Sequence, residues 1–148
     1  MAPQPEASAV LAGYEVEEQV GFQLRRAHQR HAAIFQAGMA TLDLTPTQFT
    51  ALIKTVEFPR VTQNQLGRHT AMDPATIQGV VRRLVDRGLV RRELDPLDRR
   101  MSVLLPTADG LALAARSVGS ARDITEATLA PLGAAERGQL VALLRKLG

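Results

Sequence analysis

The stretch TQNQLGRHTAMDPATIQGVVRRLVDRG, residues 62–88, contains two helix starts in close succession, near residues 63 and 74. Thr62 and Gln65 form a capping box: the hydroxyl accepts from the third helical N–H while the glutamine reaches back to the cap's own N–H. Asp73-Pro74 repeats the signal with a carboxylate cap and a proline whose missing N–H is no loss at the first helical position. Val61 with Leu66, and Met72 with Ile77, supply the apolar pairs that staple the chain at each start. The first helix is expected to end around His69, which leaves about four residues, Thr70 to Asp73, as a helix-turn-helix connection. In the second helix Ile77, Val80, Val81, Leu84 and Val85 recur at steps that place them on one inward face. Ala75, Thr76, Gln78, Gly79, Arg82, Arg83 and Asp86 are left on the outer face, and Gly88 stands where a C-terminal glycine cap belongs.

Outward from this unit, LTPTQF (44–49) gives a third start, with Thr45 as cap, Pro46 in the first turn, Gln48 completing the box and Leu44 stapling to Phe49. Before it, Val20, Leu24, Ala27, His31, Ile34, Phe35, Gly38 and Leu42 trace one face of a long amphipathic helix over roughly residues 14–40, preceded by about ten weakly structured residues. The other face carries Arg25, Arg26, Gln29 and Arg30. Downstream, Leu89–Leu94 and Met101–Pro106 alternate as two short strands, with Val90, Arg92 and Leu94 on one side of the first and Met101, Val103 and Leu105 on one side of the second. Pro59–Val61 is a candidate third edge strand. A helix over Thr107–Ala130 is stopped by Pro131-Leu132-Gly133, and a last helix spans Ala134–Leu147. The expected fold is mainly α with a small β-hairpin wing. It comprises an N-terminal tail and long dimerisation helix (1–42), a winged helix-turn-helix (43–106) and C-terminal dimerisation helices (107–148). The helices at both ends carry more apolar surface than one small domain can bury, so a homodimer with interlocked ends is expected.

Composition narrows the function. The chain has 148 residues, 45% of them hydrophobic and 22% charged, as in a folded globular unit; with 3% aromatic residues the core must come from Leu, Val, Ile and Ala. There is no cysteine, which removes disulfides, thiolate catalysis, thiol redox sensing and cysteine zinc sites together. No apolar run approaches a membrane span and MAPQPEASAV lacks the basic start of a signal peptide, so a cytoplasmic protein is expected. The net charge is only +3, but residues 60–100 hold nine arginines against five acids while the rest of the chain balances nine bases against ten acids. Basicity is concentrated in the helix-turn-helix and the loop after it. No Ser-His-Asp arrangement in recognisable context, phosphate-binding glycine loop or HExxH sequence is present, so neither an enzyme nor a cofactor nor a metal is expected.

A helix-turn-helix presents the start of its second helix to the major groove. Here that start is Pro74, Ala75, Thr76, Gln78 and Gly79, with Arg82 and Arg83 one turn on. Small residues allow close approach, Gln78 matches the adenine edge, and Arg82 reaches guanine or phosphate. The loop DPLDRR (95–100) is longer than a two-residue hairpin needs. Asp98 stands two residues before Arg100 and is placed to brace its guanidinium as that side chain, beside Arg99, enters a narrow minor groove. The bland alternative is a solvated helix face and a solvated turn, whose ion pair contributes about 0 to 1 kcal/mol. A second alternative is a winged helix that docks an acidic protein partner.

LTPTQFTAL (44–52), TQNQLGRHTAMDPATIQGVVRRLVDRGLVRR (62–92) and DPLDRRMSVLLPTADG (95–110) together resemble the MarR family of bacterial transcription regulators, over nearly the whole chain. The most specific piece is the D-x-R wing followed by an apolar strand and T-x-x-G. The resemblance implies a homodimer that binds a pseudo-palindromic operator in double-stranded DNA, usually as a repressor, and that releases it when a small organic ligand, often phenolic, binds between the dimerisation and winged regions. It places the minor-groove arginine at Arg100, its brace at Asp98 and the base-reading helix at 74–83. Candidate pocket residues are Arg26, His28, Arg30, His31, Phe35, Phe49 and Ile53. His28 and His31 stand three residues apart on one helix and are open to three readings: packing at the dimer interface, lining a pocket, or metal ligation without an evident third ligand. For Phe35, Phe49 and Ile53 ordinary core packing is the default.

Overall fold

The computed structural model describes residues 9–148, and most of the expected N-terminal tail lies outside the described residues. A 3₁₀ turn at Val16–Glu18 leads into the long helix α1, Val20–Met39, which a second 3₁₀ turn extends over Ala40–Leu42. α1 starts later than the expected residue 14 because Gln19 is extended (φ −81°, ψ 140°), and the apolar series itself begins only at Val20. Asp43, in the left-handed region at φ 50°, ends this arm. Then follow α2 (Pro46–Glu57), α3 (Gln63–Thr70), α4 (Pro74–Asp86), β1 (Val90–Leu94), β2 (Ser102–Pro106), α5 (Ala108–Leu129) and α6 (Ala134–Leu147).

The three capped starts open helices at the expected residues. Gln48 N–H donates to the Thr45 hydroxyl at 3.2 Å and Gln65 N–H to the Thr62 hydroxyl at 3.2 Å, while the two glutamine side chains accept the cap N–H groups. Asp73 Oδ1 accepts the Thr76 N–H at 2.8 Å. Between α3 and α4 the chain turns at Ala71, left-handed at φ 53°, and Met72 N–H donates to Gly67 O at 2.9 Å. Leu44, Val61, Leu66 and Ile77, from the three staples, are all buried. Around them Leu52, Val80, Val81, Leu84 and Leu104 form the centre of the core, joined by Phe35 and Met39 from α1 and Leu113 and Ile124 from α5. Val85, expected inside, is only half-buried.

The wing departs from simple alternation. β1 and β2 pair antiparallel from Val90↔Pro106 to Leu94↔Ser102, yet Val103 and Leu104, adjacent in sequence, are both buried, while Leu94 and Met101 are exposed. Leu104 joins the core beside Val103, and its backbone is tied on both sides of Val61: Arg60 N–H donates to Leu104 O at 3.0 Å and Leu104 N–H to Val61 O at 2.8 Å. The expected third strand is thus a single bridge at Val61. The hairpin's base belongs to the body and its tip projects.

α5 begins in close contact with the hairpin's root. Thr107 caps it, accepting the Gly110 N–H at 3.0 Å and donating its own hydroxyl to Gly88 O at 2.6 Å. A Cβ on Gly110 would lie 2.0 Å from Leu89 O, so the T-x-x-G pattern couples a cap to a backbone contact that only glycine permits. Farther along, α5 packs on α1 closely enough that a Cβ on Gly38 would meet Ile124 Cγ1 at 2.6 Å. No residue of α6 is buried within the protomer. Its Leu140, Val141, Leu143, Leu144 and Leu147 stay exposed, as do Val10, Leu11, Tyr14, Val16, Val20 and Leu24 at the other end of the described chain. Among the described residues no helix is long and apolar enough to cross a membrane.

Gly110→Ala is expected to lower stability by about 1 to 3 kcal/mol in urea unfolding, because backbone must shift to admit the methyl. Gly119→Ala on the same helix meets nothing within 4 Å and should be neutral or gain about 0.5 to 1 kcal/mol; equal losses at the two sites would contradict the close-approach account.

Candidate nucleic-acid interface and adjoining cavity

α4 divides along its length. Ile77, Val80, Val81 and Leu84 are buried, while Pro74, Ala75, Thr76, Gln78, Arg82 and Arg83 are exposed and Gly79 is half-buried. Thr76 is partly committed, since its hydroxyl donates to Asp73 Oδ2 at 2.8 Å. The Thr76 N–H, and next its hydroxyl, hold the Asp73 carboxyl below the usual carboxylate range. A depressed carboxyl keeps the cap charged at neutral pH, and its contribution is lost only as pH falls through that lowered value. The helix N-terminus that faces outward is therefore fixed at neutral pH.

Beside it, the wing tip is shaped by two aspartates. Asp95 Oδ1 accepts the Leu97 N–H at 2.9 Å and Asp98 Oδ1 accepts the Arg100 N–H at 3.0 Å. Asp95 N–H to Met101 O at 2.8 Å and Met101 N–H to Asp98 O at 2.9 Å close the loop. The expected brace between Asp98 and the Arg100 guanidinium is replaced by this backbone bond, because an aspartate reaches the N–H two residues on with little rearrangement. Asp98 shapes the loop, and the Arg100 side chain is left to project.

The nine arginines of residues 60–100 separate by partner. Arg60 and Arg91 both pair with Glu93, Arg92 donates to Gln63 Oε1 at 3.0 Å, and Arg87 bonds carbonyl oxygens near the end of α1. Among the described residues the side chains of Arg68, Arg82, Arg83, Arg99 and Arg100 make no hydrogen bond or ion pair within the chain, and all five are exposed. Arg68, on the first helix of the pair, lies outside the sequence-based set; nothing in its local pattern separates it from the arginines used internally. Unpaired guanidiniums on one helix pair and its wing can take phosphate oxygens or base edges without breaking a bond of the fold.

Of the candidate pocket residues, Phe49 and Ile53 on α2 line an open cavity of about 290 Å³ against α5, with Val118, Ala121, Arg122, Thr125 and Glu126. Phe35 is buried, edge-on to Phe49 at 6.1 Å, and His31 hydrogen-bonds through Nδ1 to Thr128 Oγ1 at 2.9 Å. Arg30 donates to Thr128 O at 2.6 Å and Ala127 O at 2.9 Å, so it closes the end of α5. Arg26 and Arg30 line a separate and equally open groove of about 620 Å³ on α1, and His28 is exposed. Among the described residues no group of three potential metal-ligating side chains exists. Glu126 is engaged with Arg137 at 2.7 Å, whereas the Arg122 side chain has no partner among the described residues. The cavity thus offers an apolar floor and one uncommitted cation. Arg122 escaped the sequence reading because its relation to Phe49 and Ile53 is purely tertiary.

An outward polar helix face fixed by its cap, flanked by a hairpin whose tip carries unpaired arginines, defines a winged helix-turn-helix DNA-binding protein. Relatives agree. A MarR family profile matches residues 42–101, and the HTH-type transcriptional repressor NicR of Pseudomonas putida is 42% identical over 134 residues, 90% of this chain and 85% of that protein. The structure of Bordetella bronchiseptica BpsR, whose DNA binding is regulated by 6-hydroxynicotinic acid, superposes with a TM-score of 0.87 at 42% identity, covering 90% of this chain and 96% of that one. The repressor CouR, solved on a 23-mer DNA duplex, gives a TM-score of 0.84 at 28% identity, covering 90% and 95%. The chain belongs to the MarR family of transcription regulators, and it is a regulator rather than an enzyme.

Arg100→Ala is expected to weaken DNA binding by about 1 to 3 kcal/mol with no change in elution on a sizing column. Unchanged affinity would show that the wing arginine is spectator charge; dissociation to monomers would make it structural.

Proposed function

We propose that the protein is a homodimeric repressor that binds a pseudo-palindromic operator in the cytoplasm and leaves it when an aromatic acid occupies the cavity between α2 and α5. The carrying observation is the uncovered polar face of α4 beside a wing tip whose two arginines, Arg99 and Arg100, have no partner among the described residues. In this reading Pro74, Ala75, Thr76, Gln78 and Gly79 approach base edges, with Gln78 matched to adenine. Arg82, Arg83 and Arg68 take base or phosphate, and Arg99 and Arg100 reach the neighbouring minor groove with the loop held by Asp98. A second copy covers the apolar residues of α1 and α6 and sets the two recognition helices about 34 to 36 Å apart, one turn of B-DNA.

BpsR directs the choice of effector towards hydroxylated aromatic acids, 6-hydroxynicotinic acid first. A single ring of that kind suits about 290 Å³ lined by Phe49, Ile53, Val118 and Ala121, and its carboxylate suits Arg122. Occupancy need only favour a helix spacing other than one DNA turn to weaken binding.

Fluorescence anisotropy with the DNA upstream of the protein's own gene tests this reading. Binding should fall steeply between about 50 and 200 mM salt, as counterion release requires, and fall again with 6-hydroxynicotinic acid. No preference over random DNA, with stoichiometric capture of an acidic protein instead, would favour the docking alternative. Arg122→Ala should raise the Kd of the effector about tenfold or more, by loss of a charged hydrogen bond, while operator affinity without effector stays within about twofold; equal effector affinity would remove Arg122 from the site.

A further inference from the structure

Arg87, immediately after α4, spans 44 residues of sequence to reach the end of α1: its guanidinium donates to Asp43 O at 2.5 Å and Leu42 O at 3.3 Å, and also to Gln48 Oε1 at 3.3 Å. The carbonyls belong to the turn that closes the α1 arm, where a cation is favoured by the unsatisfied oxygens and the negative end of the helix dipole. The third acceptor sits on α2. Gln48 is buried, and the same Oε1 accepts the Thr45 N–H at 3.4 Å, so one amide oxygen serves both the α2 cap and the guanidinium. Gln48 immediately precedes Phe49, a wall of the cavity. Three elements therefore meet at one side chain: the dimerisation helix, the cavity-bearing helix and the end of the recognition helix.

We propose that Arg87 is the positioning residue through which the α2–α5 cavity controls the recognition helix. It does not touch DNA in this account. It holds the C-terminal end of α4 to α1 and α2, so a displacement of α2 or of the α1 end by a bound acid changes the set of acceptors offered to the guanidinium and with it the tilt of α4. Two alternatives of this kind make a switch, because bonds to three fixed oxygens are either kept or exchanged. This inference rests on the operator-and-effector reading above.

Arg87→Met keeps the apolar stem and removes every donor; Arg87→Lys keeps charge with fewer, unforked donors. Three quantities are measured for each: effector Kd by calorimetry, operator Kd with and without saturating 6-hydroxynicotinic acid, and the spin-label distance between the two copies of A75C, which the cysteine-free chain makes a unique labelling site. Expected for R87M are effector affinity within about twofold of the parent, an effector-induced loss of DNA affinity at least about tenfold smaller than in the parent, and a broadened distance distribution in the free dimer; R87K should fall between. An effector response equal to the parent's, with the fold intact, overturns the proposal. Should R87M fail to dimerise, R87K decides, since effector affinity retained with coupling reduced supports the proposal and coupling unchanged overturns it. If the parent shows no response to the acid, the effector reading fails by itself, and the distance distribution judges Arg87: broadened in R87M supports it, unchanged overturns it.

Discussion

The contact on which the architecture turns is the approach of α5 to the backbone at Leu89. Gly88, left-handed at φ 70°, ends the recognition helix, and Leu89 N–H returns to Leu84 O at 2.9 Å. Leu89 O then accepts the Thr107 N–H at 3.0 Å, and Gly110 lies against the same carbonyl where a side chain would not fit. Recognition helix, wing and α5 leave from this one point. Because backbone rather than side chain makes the contact, the recognition helix and the wing have little latitude relative to each other, and a protomer presents them to DNA as one rigid pair.

Charge follows from the same economy of contacts. Arg30 and Arg87 place guanidiniums against the carbonyls at helix ends, on α5 and on the α1 arm, where the backbone lacks intrahelical donors. Arg60, Arg91 and Arg92 answer acceptors at the root of the wing. Within residues 60–100, the arginines without such a partner among the described residues lie on α3, α4 and the wing tip. Which arginines of this stretch stay free is thus a matter of which acceptors the fold brings within reach, and the net charge of +3 says little about it.

Helix starts were readable in the sequence because their chemistry is local: Thr45, Thr62 and Asp73 each bond a residue three positions on. The turn at Gly88 and the T-x-x-G start of α5 were readable for the same reason, although the T-x-x-G pattern hid its tertiary meaning until Leu89 was seen against Gly110. Alternation misled in the wing, where burial of Leu104 is decided by Val61 more than forty residues away. Asp98 misled in a different way. Its spacing from Arg100 was read as a side-chain pair, whereas the nearer donor is the backbone N–H. Phe49 and Ile53 stood among the candidate pocket residues with core packing as the default reading, whereas Arg122 and the anchoring of Arg30 and Arg87 depend on helices distant in sequence, and no local pattern announces them.

The central claim is that two rigid pairs of recognition helix and wing, related by a twofold axis, sit on one operator. Hydroxyl-radical footprinting of the bound operator tests it at nucleotide resolution. The account requires two symmetric protected blocks with centres about 10 base pairs apart, each continuing into the adjacent minor groove where the wing lies. A single protected block without dyad symmetry, or protection equally spread over unrelated DNA, would contradict it.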